Sequence, residues 1–285
     1  MKLLVLVNPS SGGGRALKKW TGYSRLLSNV DRVILKNIEE ATALAAQASG
    51  YDAVVACGGD GTVNAVVNGL MRNADARIKL GVLYAGTSPD FCRFYRIPLK
   101  PGAAVELLIS GRSKEVEVLE ARHNGRTAYF CCSCNLGMGA EVAELANRMR
   151  PVLGNGAGTF CALLRSLARG RRYTYRVNGE AVENCNHLLI TKMPYIAGGL
   201  RLDLPPLAAD EYALWTVQGV TRFGWLKLLP KLYRGGKVGN VRVCSGVTWI
   251  SSPETVKLEY DGDPHGVLPV EISVSARKLP LICGG

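Results

Sequence analysis

Residues 54–70, VVACGGDGTVNAVVNGL, join an apolar run to a glycine-rich turn and then to apolar residues at helical spacing. A strand that runs into a glycine loop and then into a helix brings backbone N–H groups and the positive helix end to one point. Gly58, Gly59 and Gly61 permit the close approach of a phosphate, which side chains would hold off. The stretch therefore predicts a strand, a phosphate-binding turn and a helix that begins near Thr62.

The carboxylate of Asp60 lies inside this turn and would repel phosphates unless a divalent cation lay between them. Mg²⁺ binds carboxylate oxygens and keeps several waters, which suits nucleotide phosphates. Asp60 therefore indicates a metal-assisted phosphate site. The alternative is a tight turn in which Asp60 caps the following helix, and the spacing alone leaves both interpretations open.

Strand and helix patterns alternate along the first part of the chain, which is typical of a parallel sheet covered by helices. The patterns predict strands at 2–7, 32–36, 52–57 and 79–86, and helices at 38–49 and 102–111. Two further glycine-rich turns, 8–16 and 84–91, follow predicted strands. Because ligands of open α/β sheets bind at the carboxyl ends of strands, the three turns predict one nucleotide site at one sheet edge.

From about residue 122 the pattern changes to β alternation with hairpin signals such as Asn178-Gly179. Helical patterns interrupt it at about 139–150, 157–169 and 221–234. We therefore predict two domains, an α/β nucleotide-binding domain at 1–121 and a β-rich domain at 122–285.

Composition narrows the class of partner. The 285 residues carry a net charge of +12, which favours an anionic partner such as a nucleotide, a nucleic acid or a membrane surface. The basic residues are not interleaved with a recognisable recognition fold, so we expect no nucleic acid. No window approaches the ~18 apolar residues of a spanning helix, and membrane contact is expected to be peripheral.

The nine cysteines form no secreted disulfide framework, which favours reduced thiols and a cytoplasmic location.

Five motifs together resemble those of the diacylglycerol kinase catalytic-domain family, which includes bacterial lipid kinases, sphingosine kinases and ceramide kinases. They are NPSSGGGRA (8–16), GGDGTVNAVVNGL (58–70), AGTSPDFCRFYRIP (85–98), NLGMGAEV (135–142) and EYDGDPHG (259–266). The glycine-aspartate-glycine core is shared with NAD kinases, whereas the third and fifth motifs are similar to those of lipid kinases. The resemblance covers nearly the whole chain.

This resemblance implies a Rossmann-like α/β domain, a β-sandwich domain, and an active site in the cleft between them where Mg²⁺-ATP meets a lipid hydroxyl. It implies ATP-binding residues at the three turns, namely Asn8, Ser11, Gly12, Gly58, Gly59, Gly61, Thr62, Gly86 and Thr87. It implies four catalytic acids, namely Glu117 as proton acceptor with Asp60, Asp90 and Asp263 around Mg²⁺. In some bacterial members the second domain binds a structural Mg²⁺, for which Asp210 and Glu211 are the candidates here. The prediction also includes the case in which the last residues of the chain pack on the first domain.

The sequence departs from the family pattern at several of these motifs. Ser88-Pro89 replace glycine-asparagine, Ala65 stands where a glutamate often follows, and Asp263 replaces the glutamate of the late motif. Glu117 stands where related bacterial enzymes have aspartate. A surface-strand alternative also exists for Glu117, in which Glu115, Glu117 and Glu120 are exposed acids that alternate along a strand at the protein surface.

We therefore predict an ATP-dependent lipid kinase that phosphorylates a hydroxyl of diacylglycerol, ceramide or a sphingoid base. The alternatives are an NAD kinase-like enzyme and a catalytically silent lipid-binding or regulatory member. Residues 165–176 and 225–237 mix Arg and Lys with Leu, Trp and Tyr, as interfacial segments do. They predict peripheral contact with an anionic surface at the inner membrane face, although a solvated basic face has the same pattern. A homodimer is compatible with the sequence.

Overall fold

The computed structural model describes residues 1–28, 30–261 and 263–284, and the chain divides into two compact units. The first unit comprises Met1–Val118 and Ala276–Gly285, and the second comprises Leu119–Ser275. The boundary at Val118 lies three residues before the position expected from the sequence. The chain also returns at its end, because its last strand belongs to the first unit.

The first unit contains a six-stranded sheet in the order β2-β1-β3-β4-β19-β5. All neighbouring strands pair in parallel except β19 and β5, which are antiparallel. The strands are β1 (Leu3–Val7), β2 (Asp31–Ile34), β3 (Ala53–Gly58), β4 (Lys79–Tyr84), β5 (Ser113–Val116) and β19 (Leu279–Ile282). The helices are α1 (Ser11–Gly14), α2 (Ala16–Ser24), α3 (Ile38–Gln47), α4 (Asp60–Leu70), α5 (Asp90–Phe94) and α6 (Pro101–Ser110).

Burial explains why this sheet is parallel and central. Every residue of β1 and of β3 is buried, as expected for strands that helices cover on both faces. The four-residue segment α1 is a glycine turn rather than a regular helix, since Gly12 and Gly13 have φ of 63° and 69°. The alternation of strands and helices predicted from the sequence is confirmed for this unit.

The second unit is built on an antiparallel sheet of eleven strands. Nine of them follow the order β17-β16-β8-β10-β9-β15-β18-β6-β7, while β13 pairs with β10 and β14. The strands are β6 (Leu119–His123), β7 (Arg126–Phe130), β8 (Ser133–Gly137), β9 (Tyr173–Val177), β10 (Glu180–Thr191), β13 (Glu211–Gln218), β14 (Asn240–Ser245), β15 (Thr248–Ser251), β16 (Lys257–Tyr260), β17 (Asp263–Val267) and β18 (Val270–Val274). A short pair, β11 (Tyr195–Ile196) and β12 (Leu200–Arg201), lies apart from this sheet.

The long strand β10 organises this sheet. Its first half pairs with β9 and its second half with β8, with a register shift between Val182 and Cys185. Such bulges bend a strand, and one hydrophobic core collects side chains from both sets of neighbours, including Tyr175, Leu188 and Leu258. The predicted combination of a parallel α/β part and a β-rich part is therefore confirmed.

Three helices complete the second unit, namely α7 (Met138–Leu153), α8 (Asn155–Arg169) and α9 (Gly224–Tyr233). They coincide with the three helical patterns expected from the sequence to within about three residues. The buried faces of these helices pack in a second hydrophobic core, which contains Trp215 and Trp225. In the described ranges, none of the helices has the length and apolar content needed to cross a bilayer.

Candidate active site

The three glycine-rich turns lie at the carboxyl ends of β1, β3 and β4, which are adjacent and parallel. We name them the first loop (8–15), the second loop (58–62) and the third loop (85–90). Adjacent parallel strands end at the same sheet edge, so their following loops meet there. The predicted convergence at one edge therefore follows from the observed strand order.

Side chains join the first loop to the second. Asn8 Nδ2 donates to Thr62 Oγ1 at 2.9 Å, and Ser11 Oγ lies 3.1 Å from the same oxygen. The backbone N–H of Gly59 donates to Ser11 Oγ at 3.3 Å. Thr62 is only 1% exposed, so its hydroxyl holds the loops together rather than offering itself to a ligand. Three of the predicted ATP-binding residues, Asn8, Ser11 and Thr62, are thus brought together.

Glycines allow the three loop backbones to touch. A Cβ on Gly12, whose φ is +63°, would lie 2.4 Å from the carbonyl oxygen of Ala85. A Cβ on Gly86 would lie 2.6 Å from the Cα of Gly59. Side chains at these positions would separate the loops before any ligand arrived, so close packing of the backbones is a first reason for glycine here.

Helix α4 begins within the second loop and directs its N-terminus to the same edge. The N–H groups of Thr62 and Val63 donate to the carbonyl of Gly59 at 2.9 and 3.0 Å. The start of a helix carries a partial positive charge and backbone N–H groups that suit a phosphate. The partly exposed backbone of Gly59 and Gly61 makes this end of the helix accessible.

Two acids flank this helix start. Asp60 is the first residue of α4, and its Oδ2 accepts a hydrogen bond from the Tyr84 hydroxyl at 3.2 Å. Asp90 is the first residue of α5, is 6% exposed, and its Oδ1 lies 3.5 Å from Arg93 Nη1. The structure thus places two of the predicted metal-binding acids, Asp60 and Asp90, on loops that share one edge. Burial and the negative charge of Asp60 raise the pKa of the Tyr84 phenol, which therefore stays protonated at neutral pH.

The residues at this edge fit a nucleotide-bound Mg²⁺. In the part of the chain that the structure describes, no three acidic, histidine or cysteine side chains converge to hold a metal by themselves. Mg²⁺ commonly binds through one or two carboxylates together with substrate phosphates and water. Two carboxylates beside the N-terminus of α4, where a phosphate would bind, match that donor set.

Buried cysteines border the loops without adding a nucleophile. Burial raises the pKa of the Cys57 thiol to about 12. Burial and the charge of Asp60 also raise the pKa of the Cys92 thiol. Both groups are therefore neutral thiols at physiological pH, and thiolate is the reactive form.

The structure does not bring Glu117 to this edge, so the geometry of the first unit gives no support to the prediction that it accepts the substrate proton. Glu117 follows β5, and its Oε1 lies 3.6 Å from Lys278 Nζ just before β19. Leu279 pairs with Val116, and Leu281 pairs with Leu80 near the start of β4. Tyr84 lies four residues after Leu80, and Leu279 lies two residues before Leu281. Glu117 therefore lies about 20 Å from the end of β4 along the strand direction, at the opposite edge.

The surface-strand alternative for Glu117 also fails, because the three glutamates differ. Glu115 is exposed on β5, Glu117 lies between strands and is half-buried, and Glu120 is buried on β6. Glu120 belongs to the second unit.

A lysine lies at the loop where the second metal site is predicted. Lys192 Nζ donates to the carbonyl oxygens of Ala208 and Ala209 at 3.1 and 2.9 Å, and also to the carbonyl oxygen of Glu211. The carboxylate of Glu211 accepts a hydrogen bond from the N–H of Ala208 at 2.8 Å, and Asp210 is exposed. The Lys192 ammonium group already donates hydrogen bonds to the carbonyl oxygens of this loop. This arrangement therefore disfavours a divalent ion bound by Asp210 and Glu211.

The late acidic motif contributes one residue that the sequence analysis missed. The carboxylate of Asp261 accepts hydrogen bonds from the N–H groups of Cys131, Cys132 and Ser133 at 2.8–2.9 Å. It thereby fixes the turn between β7 and β8. The side chain of the predicted Asp263 lies outside the described residues. The fixed spacing of the EYDGD segment was the available signal, but nothing in it distinguishes Asp261 from Asp263.

Comparisons with known proteins agree with this geometry. A profile described as "Diacylglycerol kinase catalytic domain" matches residues 2–121. A diacylglycerol kinase from Mycobacterium tuberculosis (strain ATCC 25618 / H37Rv) is 29% identical over 99% of this chain and 94% of its own length. A protein named "Probable lipid kinase YegS-like" from Yersinia pestis (strain Pestoides F) is 30% identical over 80% of this chain and 75% of its own length.

A solved structure shows the same fold. The crystal structure of a diacylglycerol kinase from Bacillus anthracis str. Sterne superposes with a TM-score of 0.70 at 19% identity, covering 99% of this chain and 97% of that one. Together, the profile and the relatives cover both units.

Proposed function

The chain belongs to the diacylglycerol kinase catalytic-domain family of kinases, and from that membership we propose that it transfers the γ-phosphate of ATP to a hydroxyl of a membrane lipid. The observation that carries the proposal is the meeting of three glycine loops at one sheet edge, with Asp60 at the start of α4. Phosphoryl transfer requires positioning and charge neutralisation more than covalent chemistry by the protein. This edge supplies both.

The loop backbones would hold the triphosphate. Gly12, Gly59, Gly61 and Gly86 expose backbone at the edge, and the N-terminus of α4 favours negative charge there. Thr87, which is exposed, is available to bind the nucleotide beside Gly86. Asn8, Ser11 and Thr62 act indirectly, because their hydrogen bonds hold the first two loops in place.

Asp60 and Asp90 are the residues that would hold Mg²⁺, directly or through water. When bound, Mg²⁺ supplies charge neutralisation at the phosphate oxygens and aligns them for attack. Arg93 lies beside Asp90 and keeps that carboxylate oriented at the start of α5.

We infer that an acid other than Glu117 accepts the proton of the lipid hydroxyl, because Glu117 lies away from the loop edge. Of the four acids that the family resemblance implies, Asp60 and Asp90 lie at the loop edge and are assigned to the metal. Asp263, the remaining acid of the late motif, is our candidate for the proton acceptor. Its support is the motif itself.

Diacylglycerol is the substrate to test first, because the M. tuberculosis relative is named for it. Ceramide and sphingoid bases also carry a hydroxyl, although the rest of the lipid differs, so we would test them in the same assay. The Ser88-Pro89 and Ala65 departures favour testing a silent lipid-binding alternative as well, and the shared glycine core favours testing NAD.

The test is radiolabelled phosphate transfer from ATP to diacylglycerol, ceramide, a sphingoid base, a polyprenol and NAD. We expect wild type to label one lipid class, and Asp60→Asn to lose about 100-fold or more, because electrostatic stabilisation at a charged transition state is removed. Asp52→Asn is the matched control, since Asp52 lies just before the start of β3 whereas Asp60 follows its end. Labelling of NAD alone would establish the NAD kinase alternative, and lipid binding without any transfer would establish the silent one.

The protein is also proposed to work at a membrane surface, because its lipid substrate resides there. Helix α8 exposes Phe160 and Leu164 together with Arg165 and Arg169. Just before α9, Phe223 is 72% exposed. Apolar side chains beside basic ones are typical of segments that lie in an anionic bilayer interface.

A further inference from the structure

The hydroxyl of Tyr84 reaches the carboxylate that is proposed to serve the metal. Tyr84 is the last residue of β4 and is 3% exposed. Its Oη lies 3.2 Å from Asp60 Oδ2. An ionised carboxylate only accepts hydrogen bonds, so the phenol is the donor of this pair.

The position of Tyr84 is fixed from its backbone as well as from its side chain. Its carbonyl oxygen accepts a hydrogen bond from the Tyr23 hydroxyl at 3.1 Å and one from Lys19 Nζ at 3.5 Å. Both donors belong to α2. The end of β4 is therefore tied to the helix that follows the first loop.

A glycine makes room for the phenol. A Cβ on Gly86 would lie 2.6 Å from Tyr84 Oη and 2.8 Å from Cζ. The Tyr84 ring consequently turns back over the third loop and reaches across to the second loop. Gly86 thus seats the tyrosine in addition to permitting the contact with Gly59.

Resting on the proposed function, we propose that Tyr84 is a positioning residue that orients the Asp60 carboxylate toward the nucleotide-bound Mg²⁺. A hydrogen bond that fixes Oδ2 also fixes the direction in which Oδ1 points, since the carboxylate is planar. Groups that hydrogen-bond to a metal-binding carboxylate hold it in its binding geometry, and their loss typically lowers metal affinity or activity about 10- to 100-fold.

The experiment measures ATP binding to the full chain by calorimetry, with excess Mg²⁺ and with excess chelator. The ratio of the two dissociation constants reports how much the metal strengthens nucleotide binding, without any lipid present. We expect Tyr84→Phe to lower this ratio about 10-fold, while the dissociation constant in chelator changes less than about twofold. A merely structural role would weaken binding in both conditions.

Tyr51→Phe is the matched control, because it removes another phenol that donates to a carboxylate, that of Asp31 at 2.8 Å at the start of β2, without touching Asp60 or Tyr84. We expect it to leave the ratio unchanged. In an Asp60→Asn background, Tyr84→Phe should have no further effect on the ratio, as a double-mutant cycle requires for a role exerted through Asp60.

Two outcomes would overturn the inference: an unchanged ratio in Tyr84→Phe, or an equal drop when Asp60 is already asparagine. If Tyr84→Phe does not fold, Tyr84→Met, which is also apolar and lacks the hydroxyl, takes its place with the same expectation. Metal-strengthened ATP binding by a wild type that phosphorylates no lipid would refute the proposed acceptor while leaving the Tyr84 test valid. Absence of ATP binding in wild type would refute both.

Discussion

Asp60 and Thr62 lie two positions apart in the sequence but act at different places in the same loop. Thr62 turns inward and receives hydrogen-bonding partners from the first loop, whereas Asp60 remains partly exposed at the sheet edge. The glycine-rich spacing predicted both residues as part of a nucleotide site. It could not separate their roles, because Thr62 meets Asn8 across 54 positions of sequence.

Tyr84 was not predicted, for a related reason. In the sequence, a tyrosine at the end of an apolar run is typical of an ordinary core residue. Only the structure shows that its hydroxyl lies beside Asp60. Glu117 illustrates the converse case. The family resemblance implied a catalytic acid at this position, but the antiparallel strand β5 carries it toward the other edge of the sheet.

At the residue scale, we therefore expect Glu117→Gln to retain transfer activity within about threefold of wild type. The reason is distance, since the side chain lies about 20 Å along the strands from the loop edge and pairs with Lys278. A partly exposed ion pair with a 3.6 Å separation contributes little, on the order of 1 kcal/mol, so folding should also be preserved. The measurement is turnover with the best lipid of the panel.

Glu115→Gln provides the comparison, because Glu115 is an exposed acid on the preceding strand. A loss of 100-fold or more in Glu117→Gln, with Glu115→Gln unaffected, would restore Glu117 to the role of proton acceptor. It would also mean that the chain reaches the reacting atoms from an edge other than the one described here.

At the scale of elements, the parallel strands and their loops were predictable because each carries a local signal. β1, β3 and β4 are largely apolar and buried, and each is followed by a glycine-rich turn. β5 and β19 are four-residue strands that pair with each other across more than 160 positions of sequence. Such short strands show no clear alternation of apolar and polar residues, and their partners are distant in the sequence. The β19–β5 end of the sheet could therefore not be predicted.

The contact between the second and third loops gives the element-scale prediction. In Gly86→Ala, the added Cβ would lie 2.6 Å from both the Cα of Gly59 and the hydroxyl of Tyr84. One of these groups is backbone, so the loops must separate, and such overpacking costs about 1–3 kcal/mol. We expect Mg²⁺-ATP binding to weaken by at least about 10-fold, measured by calorimetry.

Gly102→Ala controls for the loss of a glycine as such. Gly102 lies in α6, and a Cβ there would meet no atom within 4 Å. Alanine is a better helix former, so this variant should be as stable as wild type or more stable by about 0.5 kcal/mol. Equal ATP affinity in the two variants would mean that the second and third loops do not need to touch.

At the scale of the whole molecule, the sequence pattern changes near residue 122, close to the division between the first unit with its parallel strands and the antiparallel second unit. The sequence does not show which strands of the second unit pair, because many partners are far apart in the chain, as β8 and β16 are. Nor does alternation reveal that β10 serves two sets of neighbours through a bulge. These features depend on which distant segments pair, and a bulge in β10 changes its register in a way that simple alternation does not show.

The surplus of positive charge belongs to the chain as a whole, at +12, and predicts binding to anionic bilayers. We expect the full chain to float with vesicles that contain anionic lipid in about 0.1 M salt, and to be released in about 1 M salt. Screening explains the difference, since the Debye length falls from about 10 Å to about 3 Å over that range. Neutral vesicles should retain little protein.

A charge-matched pair of variants locates the surface responsible. Replacing Arg165, Arg169 and Arg172 by Gln removes three basic residues at and after α8, and at about 1 kcal/mol each should weaken binding roughly 100-fold. Replacing Arg25, Arg32 and Arg112 removes the same charge from exposed positions of the first unit and should leave most of the binding. Similar losses in the two variants would show that net charge alone attracts the protein, and unchanged flotation of the α8 variant would assign the membrane-facing surface elsewhere.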